Sequence, residues 1–74
     1  MDELNFKQSF QGRLRRLREK ERLSQAELAR LVGVKTHTVW RWEAGERTPH
    51  LKEMARIAAA LHVTEAELLN AATA

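Results

Sequence analysis

The 74-residue chain contains no cysteine, one proline and few aromatic residues. Without cysteine it can form neither a disulfide framework nor a thiolate metal site, so packing alone must hold the domain together. Such a domain suits a reducing compartment, and we expect the cytoplasm. The three histidines, His37, His50 and His62, are scattered along the chain. We therefore expect no metal and no other cofactor.

Long apolar runs are also missing, and none approaches the roughly 20 residues of a membrane-spanning helix. The first residues, MDELNFKQ, are acidic where a secretion signal would be basic. No nucleophile, base and orienting group occur at a recognisable spacing, and no phosphate-loop motif is present. These absences argue against a membrane protein, a secreted protein and an enzyme.

The chain is rich in alanine, leucine, glutamate and arginine, which favours a single small all-α domain. Its net charge is +3, and the basic excess lies in the first two thirds of the chain. An uneven basic surface favours a polyanionic partner. Several basic residues lie near the start of the chain, and we expect each of them either to contact phosphate or simply to face solvent. They are Arg13, Arg15, Arg16, Lys20 and Arg22.

Hydrophobic periodicity predicts five helices. They cover about residues 6–21, 24–33, 36–44, 51–61 and 64–70. The first has an apolar stripe of Phe6, Phe10, Leu14 and Leu17, and the fourth has one of Leu51, Met54, Ala55, Ile57, Ala58 and Leu61. Ser24 with Glu27, and Thr64 with Glu67, have the spacing of capping boxes. Residues 71–74 are expected to fray.

The sequence pattern of residues 24–49 predicts two short helices joined by a tight turn at Gly33. This arrangement is the geometry of a helix-turn-helix. At about 100° per residue, Val39 and Trp42 share the apolar side of the second helix, with Glu43 at its margin. The opposite side has Thr36, His37, Trp40, Arg41 and Ala44.

A longer set of spaced residues runs through nearly the whole chain. It consists of Arg18, Leu23-Ser24-Gln25, Leu28-Ala29, Gly33-Val34, Val39, Trp42-Glu43, Gly45, Pro49, Met54, Ile57-Ala58, Leu61, Val63 and Leu68. In this set the chain resembles the Cro and phage-repressor-type helix-turn-helix family, also called the xenobiotic-response-element family, over about residues 13–69. The resemblance implies a compact five-helix bundle of the lambda-repressor-like type, with the helix-turn-helix in helices 2 and 3. It also implies a partly buried salt bridge between Arg18 and Glu43, rather than two independent solvated charges.

Two departures from the family pattern affect any transfer of its DNA specificity. Trp40 stands where the family commonly has a small polar residue, and His50 where a short capping residue is common. The indole of Trp40 is expected to pack on a thymine methyl or a sugar, to support Arg41 by cation–π contact, or to be half-buried.

The resemblance implies that Gln25, at the start of helix 2, bonds a DNA phosphate with help from the helix N-terminus; local capping is the alternative. Ser24 is a further phosphate candidate, as are Lys35 and Arg47, for which simple solvation is the alternative. The candidates for base contact are Thr36, His37, Trp40 and Arg41, and a contact with the DNA backbone is the alternative for His37. Arg41 is the strongest of them, because arginine forks onto O6 and N7 of guanine; a phosphate contact is its alternative.

The implied function is that of a bacterial or phage-borne transcriptional regulator, such as a repressor. It would bind a palindromic double-stranded operator as a homodimer, with the C-terminal part, around Leu68 and Leu69, as the dimer surface. Leu68 matches a core position of the family, which makes Leu69 the better interface candidate. The alternative is a protein-interaction module of the same fold, an antitoxin or adaptor whose DNA binding is secondary.

Overall fold

The computed structural model describes residues 9–69, and they form five helices with no strand among them. In chain order these are α1 (Phe10–Lys20), α2 (Gln25–Val32), α3 (Thr36–Glu43), α4 (Leu51–Ala60) and α5 (Glu65–Leu69). The predicted all-α, five-helix architecture is confirmed. Within residues 9–69, no helix is long and apolar enough to cross a membrane. The expectations for Phe6 and for residues 71–74 lie outside the described residues.

The first helix begins later than the apolar stripe indicates. Ser9 has extended backbone angles (φ −74°, ψ 164°), and its hydroxyl accepts a hydrogen bond from the backbone N–H of Gly12 at 3.2 Å. Serine is a preferred N-cap because its side chain satisfies a backbone donor of the first turn. The prediction that helix 1 runs through residue 9 is therefore wrong, and α1 starts at Phe10.

Capping boxes start two of the remaining helices, and half of the same pattern starts a third. The hydroxyl of Ser24 accepts from Glu27 N–H at 3.0 Å, and Glu27 Oε1 accepts from Ser24 N–H at 2.8 Å. Thr64 and Glu67 exchange the same pair of bonds, so both predicted boxes are confirmed. At α4 only the second half of the pattern is made, because His50 N–H donates to Glu53 at 2.8 Å.

All five helices contribute to one hydrophobic core. The buried residues are Leu14, Leu28, Ala29, Val32, Val39, Trp42, Met54, Ile57, Ala58, Leu61 and Leu68. Within this core α2 packs on α3 and α4, α1 packs on α3 and α5, and α4 packs on α5. Helix α3 is therefore held from two sides, by α1 and by α2.

The predicted apolar stripe of α4 is wrong at two positions. Leu51 is 84% exposed and Ala55 is also exposed, whereas Met54, Ile57 and Ala58 are buried. At about 100° per residue, Leu51 lies roughly 70° and Ala55 roughly 110° from the centre of the buried line. Leu51 is also the first residue of the helix, so no preceding turn covers it.

Candidate nucleic-acid interface

The turn between α2 and α3 is only three residues long and depends on one glycine. Gly33 is left-handed (φ 85°, ψ 33°), and the N–H groups of Gly33 and Val34 both donate to the carbonyl of Ala29, at 2.8 and 2.9 Å. Glycine adopts this conformation without the steric cost that other residues incur. The chain consequently leaves α2 and starts α3 at Thr36, which produces the helix-turn-helix.

Helix α3 has one buried face and one exposed face. Val39 and Trp42 are completely buried, and Glu43 is buried beside them. The residues facing solvent include Thr36, His37 and Trp40, with Arg41 partly exposed next to them. The structure thus brings together, on one side of one helix, all four residues expected to contact bases.

Glu43 forms a two-pronged ion pair with Arg18 of α1. Arg18 Nε donates to Glu43 Oε2 at 2.6 Å, and a terminal nitrogen of Arg18 donates to Oε1 at 2.9 Å. The two side chains are only 11% and 6% exposed. The hydrogen bond to Glu43 raises the pKa of Arg18 above its usual value, although burial opposes the shift. These are paired groups rather than two independent solvated charges.

The same pair also fixes the start of α2. The other terminal nitrogen of Arg18 donates to the carbonyl of Leu23 at 2.9 Å, and the side-chain amide of Gln25 donates to Glu43 Oε1 at 3.1 Å. The α1–α2 connection, α2 and α3 are therefore joined through the Arg18–Glu43 pair. Sequence reasoning missed the Gln25–Glu43 bond, since nothing in the local sequence relates residues 18 positions apart.

The N-terminus of α2, expected to meet a phosphate, already interacts with the carboxylate of Glu27. Hydrogen bonds from the backbone N–H and hydroxyl of Ser24 lower the pKa of Glu27. Gln25 has two amide N–H donors, of which one is directed at Glu43. The donors left for phosphate include the second amide N–H of Gln25, whereas the hydroxyl hydrogen of Ser24 is already directed at Glu27.

The indole of Trp40 is stacked on the imidazole of His37. The ring centroids are 5.3 Å apart and the planes differ by 11°. Trp40 is 45% exposed, and it also lines a polar cleft of about 290 Å³ together with residues of α1 and α2, among them Arg15, Arg18 and Gln25. The indole is thus half-buried, and its stacking partner is His37 rather than Arg41.

The C-terminal end of α3 brings Glu46 beside Arg41. Gly45 is left-handed (φ 76°), its N–H donates to Trp42 O at 3.2 Å, and the N–H of Glu46 donates to Arg41 O at 2.9 Å. These two bonds define a Schellman motif. Glu46 Oε1 lies 3.6 Å from Arg41 Nε. Sequence reasoning missed this contact, although Gly45 was a signal for the motif.

Basic residues lie at both ends of α3, but not every arginine of α1 is available to DNA. Lys35 is the N-cap residue of α3 and Arg47 follows its last turn, and both are exposed. Arg13 is buried, and its Nε donates to the carbonyl of Leu68 at 2.9 Å. Burial, and then repulsion from Arg16, lowers the pKa of Arg13. For Arg13 the phosphate-or-solvent expectation is therefore wrong, because the side chain joins α1 to α5.

Comparison with known proteins gives a consistent assignment. A family model described as a helix-turn-helix domain matches residues 10–71. The restriction-modification controller protein C.AhdI from Aeromonas hydrophila is 38% identical, and the match covers 82% of this chain and 92% of that one with a TM-score of 0.79. The P22 c2 repressor protein, solved in complex with synthetic operator 9T, is 30% identical over 81% and 91% of the two chains, with a TM-score of 0.78. No curated protein matches the chain.

The chain belongs to the helix-turn-helix domain family. Within it, the similarity to a controller protein and a phage-type repressor confirms the predicted Cro and phage-repressor type.

Proposed function

We propose that the protein is a sequence-specific transcriptional regulator whose α3 enters the major groove of double-stranded DNA. The observation that supports this most directly is the division of α3 into two faces. Val39, Trp42 and Glu43 hold it on the core, while the opposite face presents polar and aromatic side chains to solvent. A helix that is fixed on one side and exposed on the other is the arrangement by which a helix-turn-helix reaches base edges.

The similar proteins agree with this function. One of them controls a restriction-modification system, and the other is a repressor solved with an operator. The match covers more than nine tenths of each of those chains. The likeness therefore extends over a whole domain rather than a short motif.

In this proposal Arg41 contacts guanine, and Thr36 and His37 contact bases near the N-terminal end of α3. Bidentate arginine–guanine contacts discriminate against other bases by about 1–3 kcal/mol. Phosphate contacts set the position of the helix without sequence preference. Their donors are the second amide N–H of Gln25, Lys35 and Arg47 at the two ends of α3, and the hydroxyl of Ser24 once a phosphate replaces Glu27 as its acceptor.

The regulator acts as a homodimer on a palindromic operator. A single module of this kind buries only about 600–1,000 Å², which is little for tight specific binding. Two copies place their recognition helices about 34 Å apart, in successive major grooves. Leu69 is 50% exposed while neighbouring Leu68 is buried, so α5 offers an apolar side chain that the monomer core does not use. A protein that acts on bacterial or phage DNA works in the cytoplasm.

The experiment is a binding titration with DNA that the wild-type protein has selected from a random pool. Arg41→Ala should lose about 1–3 kcal/mol of preference for the selected site over scrambled DNA. Arg30→Ala, the matched control, removes the same charge from the exposed side of α2 and should leave that preference unchanged. Equal preferences in the two variants would contradict the role of Arg41.

A salt series separates this function from that of a protein-interaction module. Binding through several phosphates weakens steeply with added salt, because each neutralised phosphate releases counterions. Affinity that stays flat between low and moderate salt would instead favour the antitoxin or adaptor alternative.

A further inference from the structure

The turn that ends α3 places a carboxylate against the arginine proposed to contact guanine. Glu46 Oε1 lies 3.6 Å from Arg41 Nε, and the two side chains are 50% and 43% exposed. We infer that Glu46 is a positioning residue for DNA specificity, which orients the guanidinium of Arg41 for guanine. This inference rests on the proposed function.

The backbone holds Glu46 in this place. Its N–H donates to the carbonyl of Arg41 itself at 2.9 Å, so the two residues are tied together by the main chain as well as by their side chains. Gly45 gives the turn its left-handed residue. The turn is also closed against α1, since a Cβ on Gly45 would lie 3.0 Å from Gln11 Nε2. Glu46 is therefore presented to Arg41 by a fixed turn, not by a free loop.

Glu46 approaches Arg41 at Nε. Arginine has five N–H donors, one on Nε and four on the two terminal nitrogens. A carboxylate at Nε leaves the two terminal nitrogens to fork onto O6 and N7 of guanine. It also restricts the rotamers of a long side chain, which lowers the entropy lost when that side chain binds. The contact at Nε therefore prepares Arg41 for guanine and does not compete with it.

The charge of Glu46 has a second effect, which acts on all sequences alike. A carboxylate near the DNA backbone repels phosphate regardless of the bases. Removing it should strengthen binding to scrambled DNA, while loss of the positioned guanidinium weakens the preference for the selected site. Positioning and repulsion can therefore be separated by measuring both DNAs.

Two variants make the separation. Glu46→Ala removes the charge and the contact, so affinity for scrambled DNA should rise. Its ratio of selected-site to scrambled-site affinity should fall about two- to fivefold, the range for a half-exposed ion pair. Glu46→Asp keeps the charge but shortens the side chain by one methylene. It should lower the same ratio while leaving affinity for scrambled DNA at the wild-type value.

The controls test whether the effect passes through Arg41. In an Arg41→Ala background, Glu46→Ala should no longer change the ratio. Glu65→Ala removes an exposed carboxylate from α5 and should not change it in either background. If Glu46→Ala strengthens binding to both DNAs equally and Glu46→Asp changes nothing, Glu46 acts by repulsion alone and the inference is overturned. Failure of the wild-type protein to select any sequence would instead overturn the proposed function.

Discussion

The buried and exposed faces of α3 are built in different ways. On the buried face, Glu43 is joined to Arg18, 25 residues earlier, and to Gln25, 18 residues earlier. On the exposed face the contacts are local, because His37 stacks on Trp40 and Arg41 meets Glu46. Long-range contacts determine where the helix sits, and local contacts determine which groups it presents. The exposed face can therefore change from one protein to another without altering the fold.

The two tryptophans, two residues apart, test this contrast most strongly. Trp42 is fully buried, so Trp42→Ala should cost about 3–5 kcal/mol of unfolding free energy, much of the stability of a small domain. Trp40 is 45% exposed, and Trp40→Ala should cost about 1 kcal/mol or less, although it should change the selected sequence. Urea unfolding followed by circular dichroism measures both. Similar losses in the two variants would contradict the division of faces.

Two glutamates make the same comparison for charge. Glu43→Ala would leave Arg18 buried without its partner and should destabilise the protein by about 3–5 kcal/mol. Glu46→Ala breaks a half-exposed pair and should change stability by less than about 1 kcal/mol. The same urea unfolding experiment measures the loss of stability in both variants. A Glu43→Ala protein as stable as wild type would show that the fold does not need the buried ion pair.

Glycine substitutions compare the two turns that flank α3. Gly45→Ala forces a left-handed residue to accept a Cβ that would lie 3.0 Å from Gln11, so we expect a loss of about 2 kcal/mol. At Gly33 the nearest side-chain atom is 3.9 Å away, so Gly33→Ala should cost only the backbone term of about 1 kcal/mol. Thermal melting of the two variants should rank them in this order. Equal losses would mean that Gln11 moves aside without cost, and the reverse order would contradict the prediction.

The smallest effect concerns the capping box of α2. The pKa of Glu27 is lowered in the folded protein, so its ionised form adds stability at neutral pH. That stability is lost as the pH falls below about 4.5, the ordinary value, through the lowered pKa. Glu27→Gln should therefore melt below wild type at pH 7, and the difference should shrink towards pH 3. A difference independent of pH would mean that the charge has no part in the cap.

Much of the buried face could be predicted because its signals are local. The spacing of Val39 and Trp42 indicates the apolar side of α3. The pairs Ser24–Glu27 and Thr64–Glu67, whose members are three residues apart, mark the starts of α2 and α5. Periodicity was less successful at helix ends. The prediction failed at Ser9, where a cap interrupts the apolar stripe, and at Leu51, which lies off the buried line.

The remaining contacts depend on tertiary structure. Arg13 bonds the carbonyl of Leu68, 55 residues away, and its sequence neighbours make it look like any other surface arginine. The Gln25–Glu43 bond likewise requires α2 and α3 to be packed before the two side chains meet. The Arg18–Glu43 pair is predicted by the family resemblance, whereas composition and spacing alone do not predict it.

We propose that the exposed face of α3 sets DNA specificity while the buried face sets the fold. The most direct test of this division is selection from a random DNA pool by the wild-type protein and by Arg41→Ala in parallel, with a melting curve for each. We predict a two-fold symmetric site for wild type, loss of a guanine preference in both half-sites for Arg41→Ala, and melting temperatures that agree closely. An identical guanine preference in the variant, or no enriched site for wild type, would contradict this division of α3.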